Sequence, residues 1–235
     1  MKKNSIIGII GAIDAEIANL KQSAKVFKST VIAGMEFNEG TLGNKKVVIV
    51  KCGMGKVNAG ICAHTLINHF DCDTIINTGV AGSLDNRLDI GDIVVSVDAV
   101  QHDFDVEPIG FKKGEIPYTG LYAFKADEKL KEMALQAVKE SADINVYEGR
   151  ICSGDQFISS LEQKETITGN YGGLCCEMEG AAIAQTCYLN GVPFVIIRAV
   201  SDKADGTGGA DFHEFSAVTA IRCSNIVKYM IENME

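Results

Sequence analysis

Three carboxylates stand where apolar sequence gives way to polar or glycine-rich sequence: Glu16 in "GAIDAE", Glu179 in "CEMEGAA" and Asp202 in "RAVSDKAD". The last follows the apolar run "VPFVII", so Arg198, Ser201 and Asp202 arrive together at the mouth of a strand. Taken singly, each acid has an ordinary explanation. Glu16 complements the dipole of a helix start, Asp202 caps or turns the chain, and Glu179 opens a helix. Together, separate carboxylates beside an arginine and glycine loops suit cleavage of a glycosidic bond. One acid protonates the leaving group, another carboxylate handles the water, and a third binds sugar hydroxyls.

Other chemistries find less support. "CGMGK" superficially resembles a P-loop but lacks the G-x-x-x-x-G-K-[ST] spacing and a hydroxyl after Lys56. "NTGVAGSL" permits close backbone approach to a ligand or merely a turn, and there is no dinucleotide fingerprint. The four histidines show no metal-ligand spacing, so neither a metal nor a cofactor is expected. The eight cysteines lie in apolar segments without C-x-x-C, which predicts reduced, buried thiols.

The elements that must position these residues alternate strand-length apolar runs with helical periods, the pattern of an α/β fold around a central mixed sheet flanked by helices. "SIIGIIGA" (5–12), "DTIINTG" (73–79), "DIVVSVDAVQ" (92–101), "NVYEGRIC" (145–152) and "VPFVIIRAVS" (192–201) read as strands. "MEFNEGTLGNKKVVIVKCG" reads as a hairpin turning near Gly43. Helices are expected over 14–24, over 56–70 with Val57, Ile61, Leu66 and Ile67 inward, over 125–141, after "CCEME", and from about Phe212 to Met234. The stretch 102–120 is the longest loop, and the glycine-rich "DGTGGAD" suits either a closing loop or a surface linkage. Five polar strand ends, "GAIDAE", "CGMGK", "NTGVAGSL", "CSGDQF" and "RAVSDKAD", would line one crevice at the carboxyl ends of the strands.

At 235 residues, without a compositional break, the chain reads as one domain over 1–235. A net charge of −9 argues against a general nucleic-acid or anionic-membrane binder. The start "MKKNSIIGIIGAIDAE" has an apolar run of only about six residues, broken by Gly8 and Gly11, and reads as a first strand rather than a signal peptide. The expectation is a cytoplasmic protein.

In order and spacing, "IGIIGAIDAEI", "CGMGKVNA", "INTGVAGSL", "GDIVVS", "HDFDV", "SGDQFI", "EMEGAAIA" and "VPFVIIRAVSDKAD" run almost end to end. On these stretches the chain resembles the 5′-methylthioadenosine/S-adenosylhomocysteine nucleosidase family of the nucleoside phosphorylase superfamily. The resemblance implies a nucleoside phosphorylase-like fold and no cofactor. It places water activation on Glu16, protonation of adenine N7 on Asp202, and orientation of these groups on Ser201 and Arg198. Glu179 would bind the ribose hydroxyls, with Met178 packing on the nucleoside and Glu177 in support. Phe157 would stack on adenine, the backbone of Ile158 would read its edge, and Gly82 would lie against the substrate. Met54 and Phe212 would wall the 5′-alkylthio pocket. Family members are homodimers, and Val106, Ile109 and Pro117 of the long loop would complete the neighbour's pocket.

Three positions depart from the family pattern: Val80 stands for a frequent serine, Gly180 for alanine after "EME", and Ile109 for an aromatic. Alternatives from the same superfamily are a phosphorolytic enzyme, disfavoured by an acid in "GAIDAE" where phosphate would sit, and a hydrolase of a related adenine nucleoside such as aminofutalosine. A catalytically silent nucleoside sensor is disfavoured by the three retained carboxylates. Asp205 receives no role.

Overall fold

The computed structural model describes residues 5–140, 144–206 and 208–234. The first four residues, the last residue of the helix expected over 125–141, and residue 207 of the glycine-rich segment lie outside it.

Three runs rich in Ile, Val and small residues form the buried centre: β1 (Ile6–Gly11), β5 (Thr74–Ser83) and β10 (Phe194–Asp202). Strands covered on both faces read as continuous apolar runs, and these three are parallel neighbours, β1 on one edge of β5 and β10 on the other. Outward from β1 the sheet continues through β4 (Lys45–Lys51) and β3 (Met35–Leu42) to β2 (Lys25–Ile32) at the edge. The β3–β4 hairpin turns as expected at Gly43, whose φ of 58° suits glycine.

On the other side, β10 pairs antiparallel with β6 (Ile93–Gln101), which pairs with β8 (Val146–Ser153) and then with β9 (Cys175–Glu177) beyond it. β9 returns to β5 at Gly82 and Ser83, so β5, β10, β6, β8 and β9 close into a ring. The short β7 (Phe124–Lys125) adds to β6.

Helices α1 (Asp14–Ser23), α3 (Glu128–Lys139) and α6 (Gly208–Glu232) cover one face, over Ile7, Ile9, Ile49, Val195 and Ile197. Helices α2 (Lys56–His69) and α5 (Gly180–Asn190) cover the other, over Ile10, Val48, Val50 and Ile196. A third cluster joins α4 (Leu161–Tyr171) to Leu84, Val100 and Ile158. Helix α4 starts on a Ser160 side chain that accepts the Gln163 N–H at 3.2 Å and ends at left-handed Gly172.

Several expectations need correction. The strand expected over 73–79 runs on through "VAGS" to Ser83, drawn into the sheet by β10 and β9. Helix α2 packs through Ala59, Cys62, Ala63 and Leu66, leaving Val57 and Ile61 exposed. Both faces of α2 carry apolar residues, and the close contact with α5 selects the small ones. Helix α6 begins at Gly208, so Gly208 and Gly209 are helical rather than part of a loop. β2, β7 and α4 were not anticipated. The loop from residue 102 carries a 3₁₀ turn (Glu107–Ile109) and an Ile116–Leu121 bridge, and Gly114 N–H donates to the Phe104 carbonyl at 2.7 Å. All eight cysteines are buried and free. Among the described residues no helix is long and apolar enough to cross a membrane, and no three or more His, Cys, Asp or Glu side chains are grouped to hold a metal.

Candidate active site

β5 changes partner along one edge. Its pairing with β1 ends at Asn77 opposite Ile10, and its pairing with β9 begins at Gly82 opposite Cys176. Glu16, in the first turn of α1, fills the opening between them. Its Oε1 accepts the Val80 N–H at 3.0 Å, and its Oε2 accepts the N–H of Ala12 at 2.6 Å and of Ile13 at 3.1 Å. Burial pushes the Glu16 carboxyl above its ordinary range, opposed by the Arg198 charge and by these three N–H groups.

Asp202 ends β10 and is 2% exposed. Its Oδ2 accepts from Ser201 Oγ at 2.9 Å and its Oδ1 from the Ala204 N–H at 3.1 Å. A Cβ on Gly82 would stand 2.8 Å from Oδ1, so this glycine keeps the space the carboxyl occupies. Burial raises the Asp202 pKa, and the like charges of Asp211 and Asp205 add to the rise against the Ser201 and Ala204 hydrogen bonds. The structure thus gives Asp205 an electrostatic influence the sequence did not suggest.

Between these two acids lies a hub built on Glu177. It accepts hydrogen bonds from Ser153 Oγ and Arg198, from the Gly180 N–H at 2.7 Å and from the Glu179 N–H at 3.2 Å. Arg198 also donates to Asn77 Oδ1, and Asn77 Nδ2 donates to the Ile10 carbonyl at 3.0 Å. Glu179 caps the other side: its Oε1 accepts the Gly55 N–H at 2.7 Å, and burial together with the neighbouring Glu177 charge pushes its carboxyl up to about 8.

One cavity gathers Glu16, Met54, Gly82, Phe157, Ile158, Met178, Glu179, Ser201, Asp202 and Phe212. Phe157 meets Phe212 edge to face, with ring centroids 5.6 Å apart. Arg198 does not line the cavity, because Glu177 stands between them and the guanidinium is only 2% exposed. Val106, Ile109 and Pro117 do not line it either; Val106 and Pro117 are half-buried on the segment after β6, and Ile109 is exposed. Ala12, Ile13, Ala81, Gln156 and Cys176 also line the wall, and Asn77 and Ser153 support it; none of these was singled out from the sequence. All of them lie within the quoted stretches, where the residue types alone did not set them apart. Val80 contributes its main-chain N–H, so its apolar side chain does not disturb the hold on Glu16.

The model of the Phosphorylase superfamily matches residues 6–232. The chain belongs to this superfamily. Among phosphorylase-superfamily relatives, a 5′-methylthioadenosine/S-adenosylhomocysteine nucleosidase of Staphylococcus carnosus (strain TM300) is 44% identical over 230 residues, 97% of this chain and 100% of that one. The 5′-methylthioadenosine/S-adenosylhomocysteine nucleosidase of Neisseria meningitidis, solved with methylthio-immucillin-A, superposes with a TM-score of 0.95 at 35% identity, covering 98% of this chain and 100% of that one. The futalosine hydrolase of Helicobacter pylori superposes with a TM-score of 0.94 at 31% identity, covering all of both chains. Overall shape therefore does not separate these two kinds of superfamily member, and the pocket side chains must.

Proposed function

We propose that this phosphorylase-superfamily protein hydrolyses the N-ribosidic bond of 5′-methylthioadenosine and S-adenosylhomocysteine, releasing adenine and methylthioribose or S-ribosylhomocysteine. The observation that carries the reading is the pairing of two acids in one cavity, Glu16 held by three main-chain donors and Asp202 buried at the end of β10.

Three main-chain N–H groups, shared between both oxygens, and the Arg198 charge favour the ionised form of Glu16 against its burial. Glu16 is assigned the ionised role. In that state it holds and activates the attacking water and faces the positive charge that develops on the ribose. Asp202, whose pKa burial raises, is the group that gives a proton to adenine N7, so the base leaves neutral. Ser201 fixes the orientation of that carboxyl. Glu179 takes the ribose hydroxyls with Met178 beside it, Phe157 stacks on adenine, the Ile158 backbone reads the base edge, and Gly82 leaves room for the base. Met54 and Phe212 wall the 5′-thio end. Arg198 acts from behind Glu177 rather than on the substrate.

Water rather than phosphate is the nucleophile, because no Lys or Arg is among the residues lining the cavity. The protein acts as a cytoplasmic homodimer without a cofactor, and Val106, Ile109 and Pro117 reach the neighbour's pocket. Exposed Val57 and Ile61 on α2, with exposed Tyr188 and Leu189 on the adjoining α5, support an apolar contact between copies. The second reading, hydrolysis of a related nucleoside such as aminofutalosine, is favoured by the likeness to the Helicobacter pylori futalosine hydrolase.

Incubation with methylthioadenosine, adenosylhomocysteine or aminofutalosine in phosphate-free buffer, following free adenine, tests the reading. Adenine from the two thionucleosides is expected without phosphate, and a requirement for phosphate would sink the hydrolytic reading. Asp202→Asn should nearly abolish turnover while leaving binding of a nucleoside analogue intact.

A further inference from the structure

Two loops that line the cavity are joined by a closed set of contacts that no substrate-facing role explains. The first, between β4 and α2, carries Met54 and Gly55, and the Gly55 N–H holds Glu179. The second follows β8 and carries Gln156, Phe157 and Ile158. The Lys56 N–H donates to Asp155 Oδ1 at 2.8 Å, and the Asp155 N–H donates to Asp103 Oδ2 at 2.9 Å. Lys56 Nζ closes the ring on Asp103 Oδ1 at 2.5 Å and also donates to Gln101 Oε1 at 3.0 Å.

This is not a solvated surface pair. The Lys56 and Asp103 side chains are 17% and 19% exposed. Burial by itself would raise the Asp103 carboxyl, but the Lys56 ammonium and the Asp155 N–H outweigh it and hold the group below its ordinary range. Space is tight on the same side: a Cβ on Gly55 would come within 3.2 Å of Asp155 Oδ1, and one on Gly154 within 2.5 Å of the His102 ring. Asp103 also begins the segment that runs on to Val106 and Ile109, so the ring joins three loops rather than two.

We propose that Lys56 and Asp103 are positioning residues whose ion pair, closed through Asp155, sets the distance between the Glu179 side of the cavity and the Phe157 side. The proposal rests on the nucleosidase reading, in which ribose lies at Glu179 and adenine at Phe157. A ligand that spans both loops depends on their spacing, whereas a ligand that occupies one end does not.

The test uses two ligands by calorimetry: adenine, which fills only the base end, and a 7-deaza analogue of methylthioadenosine, which spans the cavity but lacks the nitrogen to be protonated. Lys56→Met and Asp103→Asn should each weaken the analogue about tenfold or more, since misplacement of a binding group by about 1 Å is costly. Adenine should stay within about twofold, Lys56→Arg should recover most of the loss, and the double variant should lose little more than either single one. Retained adenine binding shows that the variants are folded. Asp103→Asn keeps the shape of the side chain and decides the matter if Lys56→Met proves unstable. Equal weakening of both ligands, or no weakening of the analogue, overturns the proposal. A wild-type protein that binds the analogue yet releases no adenine from methylthioadenosine overturns the nucleosidase reading alone, because the spacing is still measured by the two binding constants.

Discussion

Glu16 occupies the volume of the side chain that Gly79 lacks: a Cβ on Gly79 would stand 2.5 Å from Glu16 Oε1 and 2.9 Å from its carboxyl carbon. The carboxylate therefore lies directly on β5, where the Val80 N–H reaches it.

Gly79→Ala should displace the carboxylate without demanding an unusual backbone, since Gly79 is not left-handed. Adenine release should fall about a hundredfold, as displacement of a reacting group by about 1 Å would require. Steady-state rates beside a far-ultraviolet spectrum check it, and near-normal rates would show that Glu16 is not held by this surface.

Gly169→Ala is the matching control. Gly169 lies inside α4, and a Cβ there would meet nothing within 4 Å. The substitution should stabilise the protein by about 0.5–1 kcal/mol by restricting the unfolded chain, with turnover unchanged. A thermal melt reads the sign.

Glu177→Ala should be far more damaging than its lack of a direct chemical task suggests. It strips Arg198 of its charged partner, with side chains that are 2% and 3% exposed, and it also frees Ser153 and two N–H groups. Removing one partner of a buried pair costs about 3–5 kcal/mol. Urea midpoints of the variant and wild type measure it; a loss no larger than that of an exposed ion pair would contradict the hub.

The sequence made the centre of the sheet plain and named Arg198 and Glu177, but not the Asn77 and Ser153 that complete their hub. β1, β5 and β10 were legible because strands covered on both faces carry long apolar runs. Arg198, inside such a run, stood out for the same reason. Glu16 and Asp202 were each assignable both to local structure and to chemistry; the fold shows the local one, with Glu16 accepting N–H groups at the start of α1 and Asp202 the Ala204 N–H in a turn, and it brings both to one cavity. Asn77 and Ser153 gave no signal, since short polar residues at strand ends are common and their partners come from distant β10 and β9. The inward face of α2 was misread because Val57 and Ile61 are larger than the Ala59, Cys62 and Ala63 that make the contact.

Stability should fall as pH rises through the range set by Glu179. The folded state holds its proton up to about 8, whereas the unfolded chain releases it near the ordinary glutamate value of 4.5. Between these values the native state binds more protons than the unfolded state, so unfolding becomes easier with each step upward in pH. Glu179→Gln should remove this dependence, and its melting temperature should gain on wild type between pH 5 and pH 8.5. An unchanged difference between the two proteins across that range would count against a protonated Glu179.

The thiols give a separate check on packing. All eight cysteines are buried, and burial pushes Cys72 and Cys176, among others, above the ordinary thiol range. A thiol reagent at neutral pH should label none of them in the native protein and all eight after unfolding in denaturant. Rapid labelling of one or two without denaturant would expose a loosened region.

The change of partner along β5 also governs whether this chemistry is portable. Each donor to Glu16 is an amide of the main chain: that of Val80 is left open where β1 stops pairing with β5 and β9 starts, and those of Ala12 and Ile13 lead from β1 into α1. Grafting glutamate, glutamate and aspartate side chains onto a different scaffold would copy the acids and omit the amides that orient them. A designer would have to import the interrupted strand edge first, and an insertion that moved the interruption by a single residue would turn the next amide the wrong way while leaving every acid in place.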